Sequence, residues 1–475
     1  MKGSLGATEG GINFKMAIYH RHNTYCKGSG ASGYNGRPPK KYGISWGFGA
    51  EEALTRIDDA VGLSTTKSAD LGGYKTIASS FDTIWPWCGM QRMEMRANGD
   101  IKAAFADIAD TTAYTTAALD FDDTSTGSLR VMVRIPKFYY KVEVTQYSSY
   151  KLWISAYPLE GFKVHPAFQR GIFNRADIGE VECIYVGAFE GYSVTPATPT
   201  ALLSYANVAP TVSQTRAQFR LAAKASNAIT TNPQYALMDY LAYNAIQMLY
   251  LVEFANFDSQ TVLSAGITGL GATDLGSVAA TGWTSANGPA NCHELGNTSG
   301  EVVVHIGGTT YTDWAVSYRG LENIYGNMVQ MLDGLNVSTG MAPWILYNCG
   351  PNITRTDAVT WTSAVPYQNM NITMSNASEY IVDPQTSGVP NWSSDWNFIP
   401  RAVAGGSAST YVCDWYQNSS DAWATVNMFT VGGSFNDGAG AGIFGVYPCH
   451  ILNSDTYIGA RLMLIPRDNT GFYIY

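Results

Sequence analysis

Charge is scarce in this 475-residue chain: Asp, Glu, Lys and Arg make up 14% of it, against about 25% in an ordinary soluble domain. Positive charge is scarcer than negative, 29 residues to 38, and the formal net charge is -9. Phosphate binding needs a basic face, so nucleic acid is excluded as a main partner. The one basic cluster, Arg37 to Lys41, is short and reads as a solvated loop. Paired cysteines are missing as well. The seven fall at 26, 88, 183, 292, 349, 413 and 449 with no CxxC pair, which weakens zinc and thioredoxin-type readings. An odd count leaves at least one free thiol, as in a protein folded in a reducing cytoplasm. Long apolar runs are lacking too. Met1 to Thr24 has no hydrophobic signal segment, and Tyr235 to Phe254 is interrupted by Asp239, Asn244 and Gln247. The expectation is a soluble protein without membrane insertion; if it works outside a cell, it leaves by lysis or a dedicated route. Catalytic signatures are wanting: no HExxH, GxSxG or P-loop occurs. The six His (20, 22, 165, 293, 305, 450) have no nucleophile at motif spacing. A glycosidase carboxylate pair stays open, although the acidic residues cluster in turns, where they are usually solvated.

What is present is 46% hydrophobic residues, 48 Gly, 30 Tyr and 12 Trp. A globular, loop-rich, β-biased chain follows, with aromatics, amides and hydroxyls in the place of charges. Adhesins and virion proteins share that profile. Residues 1–50 read as an attachment or linker region and 51–127 as a small β-rich domain. Within the latter, AEEALTRIDDAVGL has helix-like spacing, and Asn98 to Asp100 reads as a hairpin turn. At Ser128 the texture changes. Val131, Val133 and Ile135 alternate with Met132 and Arg134, predicting a strand that ends or reaches an edge at Pro136. Aromatic strand candidates follow near Leu152 and Ile184, with His165 as a structural residue. Thr215 and Gln218 form a capping box ahead of a helix of about three turns. Tyr235 to Phe254 is apolar nearly all round, predicting a buried helix. Short strands are expected at 301–307, in WILY, NITM and YIV, and in the closing ARLMLIP.

Ser317 to Val337 stands apart, with turn formers (Gly320, Asn323, Gly326, Asn327, Gly334) set among apolar residues. Alone it could be an active-site loop with Glu322 and Asp333 as acids, or a hydrogen-bonded core segment.

Five motifs fall in order: IPKF (Ile135 to Phe138), the capped TRAQFRLAAKA, Tyr325-Gly326-Asn327, GGSFN (Gly432 to Asn436) and IGARL (Ile458 to Leu462). The order resembles the C-type-lectin-like fold in its formylglycine-generating-enzyme branch, over about 128–475. YRGLENIYGN, GGSFNDG and IGARL look most like bacteriophage tail-fibre and receptor-binding proteins, including relatives of retroelement-diversified ligand-binding proteins. The resemblance implies an α+β fold: a C-type-lectin-like domain at 128–475 preceded by a small β-rich N-terminal region. It also implies a virion protein, made in the host cytoplasm, a homotrimer by analogy, joined to other tail proteins through its N-terminal region. Its partner would be a bacterial cell-surface receptor, protein or glycan, and it would be no enzyme and carry no cofactor or metal.

In such proteins the C-terminal block presents the ligand face. Its Trp, Tyr, Asn, Ser and Gly supply rigid area and adaptable hydrogen bonding. Tyr411, Asp414, Tyr416, Asn436, Asp437, Tyr447, His450, Asn453, Asp455 and Tyr457 are the expected exposed residues. Trp415 and Trp423 also have a core reading, which weighs evenly for Trp423, near apolar neighbours, and less for Tyr416. Three alternatives stand beside this one. A copper-dependent enzyme on the same scaffold would draw on Cys413 and Cys449, though their neighbours do not follow the enzymes' motif. A calcium site would draw on Asn436-Asp437 or Glu322-Asn323, the former also being a common turn. A structural baseplate protein would make no receptor contact.

Overall fold

The computed structural model describes residues 39–466 apart from several stretches, the longest of which are 105–129, 283–296, 347–366 and 383–396. The fold is α+β and dominated by sheet. Four sheets of five, six, five and nine strands occur among the described residues. Two helices of ten and fifteen residues accompany them, with a short one at Ser259–Val262.

The fifteen-residue helix, Tyr240–Phe254, is buried along its whole length. Its apolar circumference explains this: with no polar stripe, no side can face water. The apolar run that starts at Tyr235 is not all helix. Tyr235–Leu237 is a strand on Leu462–Leu464, and Asp239 caps the helix by accepting from Ala242 N at 3.0 Å. A residue that breaks the hydrophobic run in the sequence is therefore the start signal of the element. Arg170 pairs with the same Asp239 carboxylate. The ten-residue helix, Arg216–Ala225, starts with the reciprocal capping box of Thr215 and Gln218.

The expected strand at 128 onward is Arg130–Pro136. Val131, Val133 and Ile135 enter the main core while Met132 enters a second one. Pro136 pairs with Cys183 at the strand's end. Asn98 lies in the turn of the hairpin joining Gln91–Met95 to Ile101–Ala104. His165 is structural: Nδ1 accepts from Ala167 N and Nε2 meets Asn244 Oδ1 at 3.0 Å. Burial lowers its pKa to about 3, so the ring stays neutral.

Three expectations are corrected. The helix-like spacing around Thr55 is a strand, Thr55–Asp58, at the edge of the first sheet. NITM lies beyond its strand, which is Tyr367–Asn369. The domain boundaries at 50 and 127 do not follow the strand pairing. Tyr42–Gly47 pairs with Ser149–Ser155, Tyr74–Ser79 with Thr298–Ile306, and Gln91–Met95 with Arg130–Pro136. Residues 42–104 thus complete three sheets shared with later segments, and one core runs from Tyr42 to Ile465. Composition marked a change of texture at 128, but pairing at long sequence separation leaves no such mark. Residues 1–38, the greater part of the expected attachment region, lie outside the described residues.

Candidate functional site

Ser317 to Val337 is buried throughout and seats the C-terminal turns. Its turn formers take left-handed conformations: Asn323 has φ 47°, Gly326 φ 77° and Asn327 φ 61°. At Gly326 a Cβ would sit 2.9 Å from Ile267 N, so only glycine fits. The charged groups here are engaged, although the Tyr318 hydroxyl and Asn323 Oδ1 have no hydrogen-bond partner among the described residues. Arg319 reaches Glu253 Oε1 at 2.5 Å and Oε2 at 2.9 Å, and Asp82 at 2.9 Å. Arg461 bonds Gln330 Oε1 at 2.9 Å and the carbonyls of Gly187, Glu322 and Asn323. Arg220 holds Asp333 at 2.6 Å. Buried charges of this kind are tolerable only when paired and hydrogen-bonded. Glu322 accepts from Gly282 N at 2.6 Å, and Asp333 is 0% exposed. Both candidate acids are thus structural.

Two turns rise from this base. The first follows the strand Asn427–Gly432. Gly326 N donates to Gly432 O and Phe435 N to Asn327 O, both at 3.1 Å. Phe435 is buried in a small core with Met328, Val302 and Ala315. That anchor leaves Asn436 exposed and Asp437 half-buried. Ser434 Oγ bonds Asn436 Oδ1 at 2.5 Å and Asp437 Oδ2 at 2.7 Å. Burial pushes the Asp437 carboxyl up, against the Ser434 bonds. Its carboxylate closes the turn, as the sequence pattern Asn-Asp-Gly suggests.

The second turn runs from Cys449–His450, a short strand on Asn427 and Met428, to Ile458–Ala460, which pairs in parallel with Val329–Met331. His450 shapes it: its carbonyl accepts from Asn453 N at 2.8 Å and its Nδ1 from Leu452 N at 3.2 Å. Asp455 O accepts from both Ile458 N and Ser213 N at 3.1 Å. Tyr457 gives its hydroxyl to Asp455 Oδ2 at 3.2 Å and packs beside Phe435. Burial first, then Asp455, raises its pKa to about 12. Asp437 also acts on Tyr457 electrostatically, so the two turns adjoin. His450, Asn453 and Tyr457 are half-buried, Asp455 is exposed, and Leu452 is 65% exposed.

Six of the ten expected residues, Asn436, Asp437, His450, Asn453, Asp455 and Tyr457, therefore reach the surface on these turns. Three expectations of exposure are corrected. Asp414 is 0% exposed; it accepts from Phe444 N at 2.7 Å and packs against Gly442, where a Cβ would lie 2.1 Å from Oδ1. Burial drives its pKa well above the usual carboxylate range. Tyr416 is inside, giving its hydroxyl to Ser375 O at 2.8 Å. Tyr447 is inside as well, bonded to Gly440 O at 3.0 Å. Tyr411 and Trp423 lie outside the described residues. Trp415 is half-buried against Tyr380, ring centroids 4.9 Å apart.

Sequence reasoning missed Tyr311 and Val212, which pack on the same small core as Phe435 and Tyr457. They come from distant segments, and only the capping box after Val212 hinted at order nearby. The two cysteines of the copper alternative are free thiols with different surroundings. Cys413 meets Asp414 and Asp258, while Cys449 meets Thr430 and Asn453. Burial raises both thiols, to about 12 for Cys449, which leaves them poor thiolate donors.

No protein-family model matches the chain, and no curated protein matches it either.

Proposed function

We propose that the chain is a bacteriophage tail-fibre or tail-tip receptor-binding protein with a C-type-lectin-like domain. It recognises a bacterial surface ligand non-covalently through the turns at 434–437 and 449–457. One observation carries this reading. The turns share an anchoring core, each is tied to the buried segment beneath by backbone bonds (Phe435 N to Asn327 O, Val329 N to Tyr457 O) and otherwise closed on itself, and their polar tips face solvent. Rigid seating of adaptable polar and aromatic tips lowers the ordering cost of binding. The buried acids and arginines, by contrast, are engaged in holding the fold.

The lectin-like part of the proposal draws on where its five motifs fall. IPKF ends a strand beside Cys183–Gly187, and IGARL runs from Ile458–Ala460, parallel to Val329–Met331, into Leu462–Leu464, which pairs with Cys183–Gly187. The GN motif and the GGSFN turn bond each other directly. Several copies on one particle, in a trimer, would multiply a weak single-site affinity. The proposal is tested by imaging particles with a labelled antibody to this chain. Label at the tail tip supports it; label confined to the baseplate favours a structural component, and no label on particles sinks it.

A further inference from the structure

Glu190 is fully buried and takes no part in the recognition surface. Its segment is clamped from two sides. Ala188 O accepts from Glu322 N at 2.8 Å, and Gly191 N donates to Ala460 O at 2.9 Å. Its Oε2 accepts from Asn327 Nδ2 at 2.6 Å and from Asn323 Nδ2 at 3.3 Å. Its Oε1 has no hydrogen-bond partner among the described residues.

The charged groups around it are committed elsewhere. Arg461 directs its bonds to Gln330 and to the carbonyls of Gly187, Glu322 and Asn323. Glu322 accepts from Gly282 N. Arg92 lies over the Phe189 ring at 4.8 Å and gives Nε to Gly320 O. Two amides on one oxygen do not replace the water a carboxylate loses on burial, so the site favours the neutral acid. Burial accordingly pushes the carboxyl up to about 8, although Arg461 and the two amides pull it down.

We propose that Glu190 is a pH sensor built into the fold: buried with one carboxyl oxygen unpartnered, it is held as the neutral acid, and its ionisation loosens the seat of the 449–458 turn. The proton goes to solvent. The new charge repels Glu322 and draws Arg461 from the carbonyls it holds. Asn323 and Asn327 lie at the base of the 434–437 turn, and Gly191 binds Ala460 at the end of the 449–458 turn. The loosening therefore enters at the 449–458 turn, whereas the amide bonds from Asn323 and Asn327, which strengthen to a charged carboxylate, keep the base of the 434–437 turn in place. The inference is independent of which ligand those turns bind.

The sign follows from linkage. The folded value lies above the unfolded one of about 4.3, so the unfolded chain releases this proton first. Stability falls as pH rises from about 4.3 to about 8 and is flat in this respect beyond. The full chain and Glu190→Gln are melted in parallel from about pH 6 to about pH 9. The expected result is a wild-type Tm that falls relative to the variant and then keeps a constant gap. Amides of 449–461 should exchange faster in the wild type than in the variant at the alkaline end, both measured at one pH. Parallel melting curves overturn the proposal. Should the variant not fold, carboxyl-labelled glutamate in the wild type decides by carbon NMR. One resonance with a midpoint above about 7 supports the proposal, and midpoints all below about 7 overturn it.

Discussion

The buried segment around Arg319 and the turn around Tyr457 use the same residue types to opposite ends. At Arg319, the guanidinium and the Glu253 carboxylate are taken from water and bonded to each other, Asn297 accepts from Arg319 N, and the partly exposed Asp82 pairs with the same guanidinium. At Tyr457 the polar groups bond their own turn and keep a face toward solvent. The first arrangement fixes backbone and the second displays side chains. The difference teaches that in a chain poor in charge, a charged residue marks the interior as readily as the surface: Arg319, Glu253, Glu322, Asp333 and Arg461 are all buried.

The comparison breaks most sharply at Arg319. Arg319→Ala leaves Glu253 buried without its cation, and the expected loss is about 3–5 kcal/mol in denaturant unfolding. A loss below about 1 kcal/mol would place this pair among solvated ones. Gly326→Ala follows. Its φ of 77° and the 2.9 Å approach to Ile267 N predict a loss of roughly 1–3 kcal/mol. Gly438→Ala, at φ 54° with open space around it, should lose about 1 kcal/mol. Equal losses would deny the close packing of the base. His165 sharpens the comparison through pH. Its folded pKa of about 3 lies below the unfolded value of about 6.5. The unfolded chain thus takes up a proton first, and stability falls as pH drops from about 6.5 toward about 3. His165→Gln should flatten that acid limb in Tm measured against pH. The smallest effect on stability is expected at Asn436→Ala and Asn453→Ala, within about 0.5 kcal/mol each.

Much of the framework was legible because its signals are local. The Thr215 capping box, the 130–136 alternation and the turn formers between Gly320 and Asn327 each specify backbone within a few residues. The faces of the C-terminal block were not. Asp414, Tyr416 and Tyr447 have the composition of a binding surface, yet each lies under a neighbouring strand or loop that only pairing at a distance supplies. Asp414 is hidden by Phe444, and Tyr416 by the 375 region. Asp239 misled in the other direction, since a break in an apolar run and a helix cap look alike until Arg170 is placed beside it. The boundary at 127 failed for the same reason, because three strand pairings cross it.

The central claim, rigid base and recognising rim, is tested most directly by one triple variant. Asn436, His450 and Tyr457 are replaced with Ala, and binding to bacterial cells that the purified unmodified chain binds is measured beside its melting. The account predicts at least about a ten-fold loss of binding with a Tm lowered by no more than about 4 °C. Undiminished binding by a folded variant would contradict it.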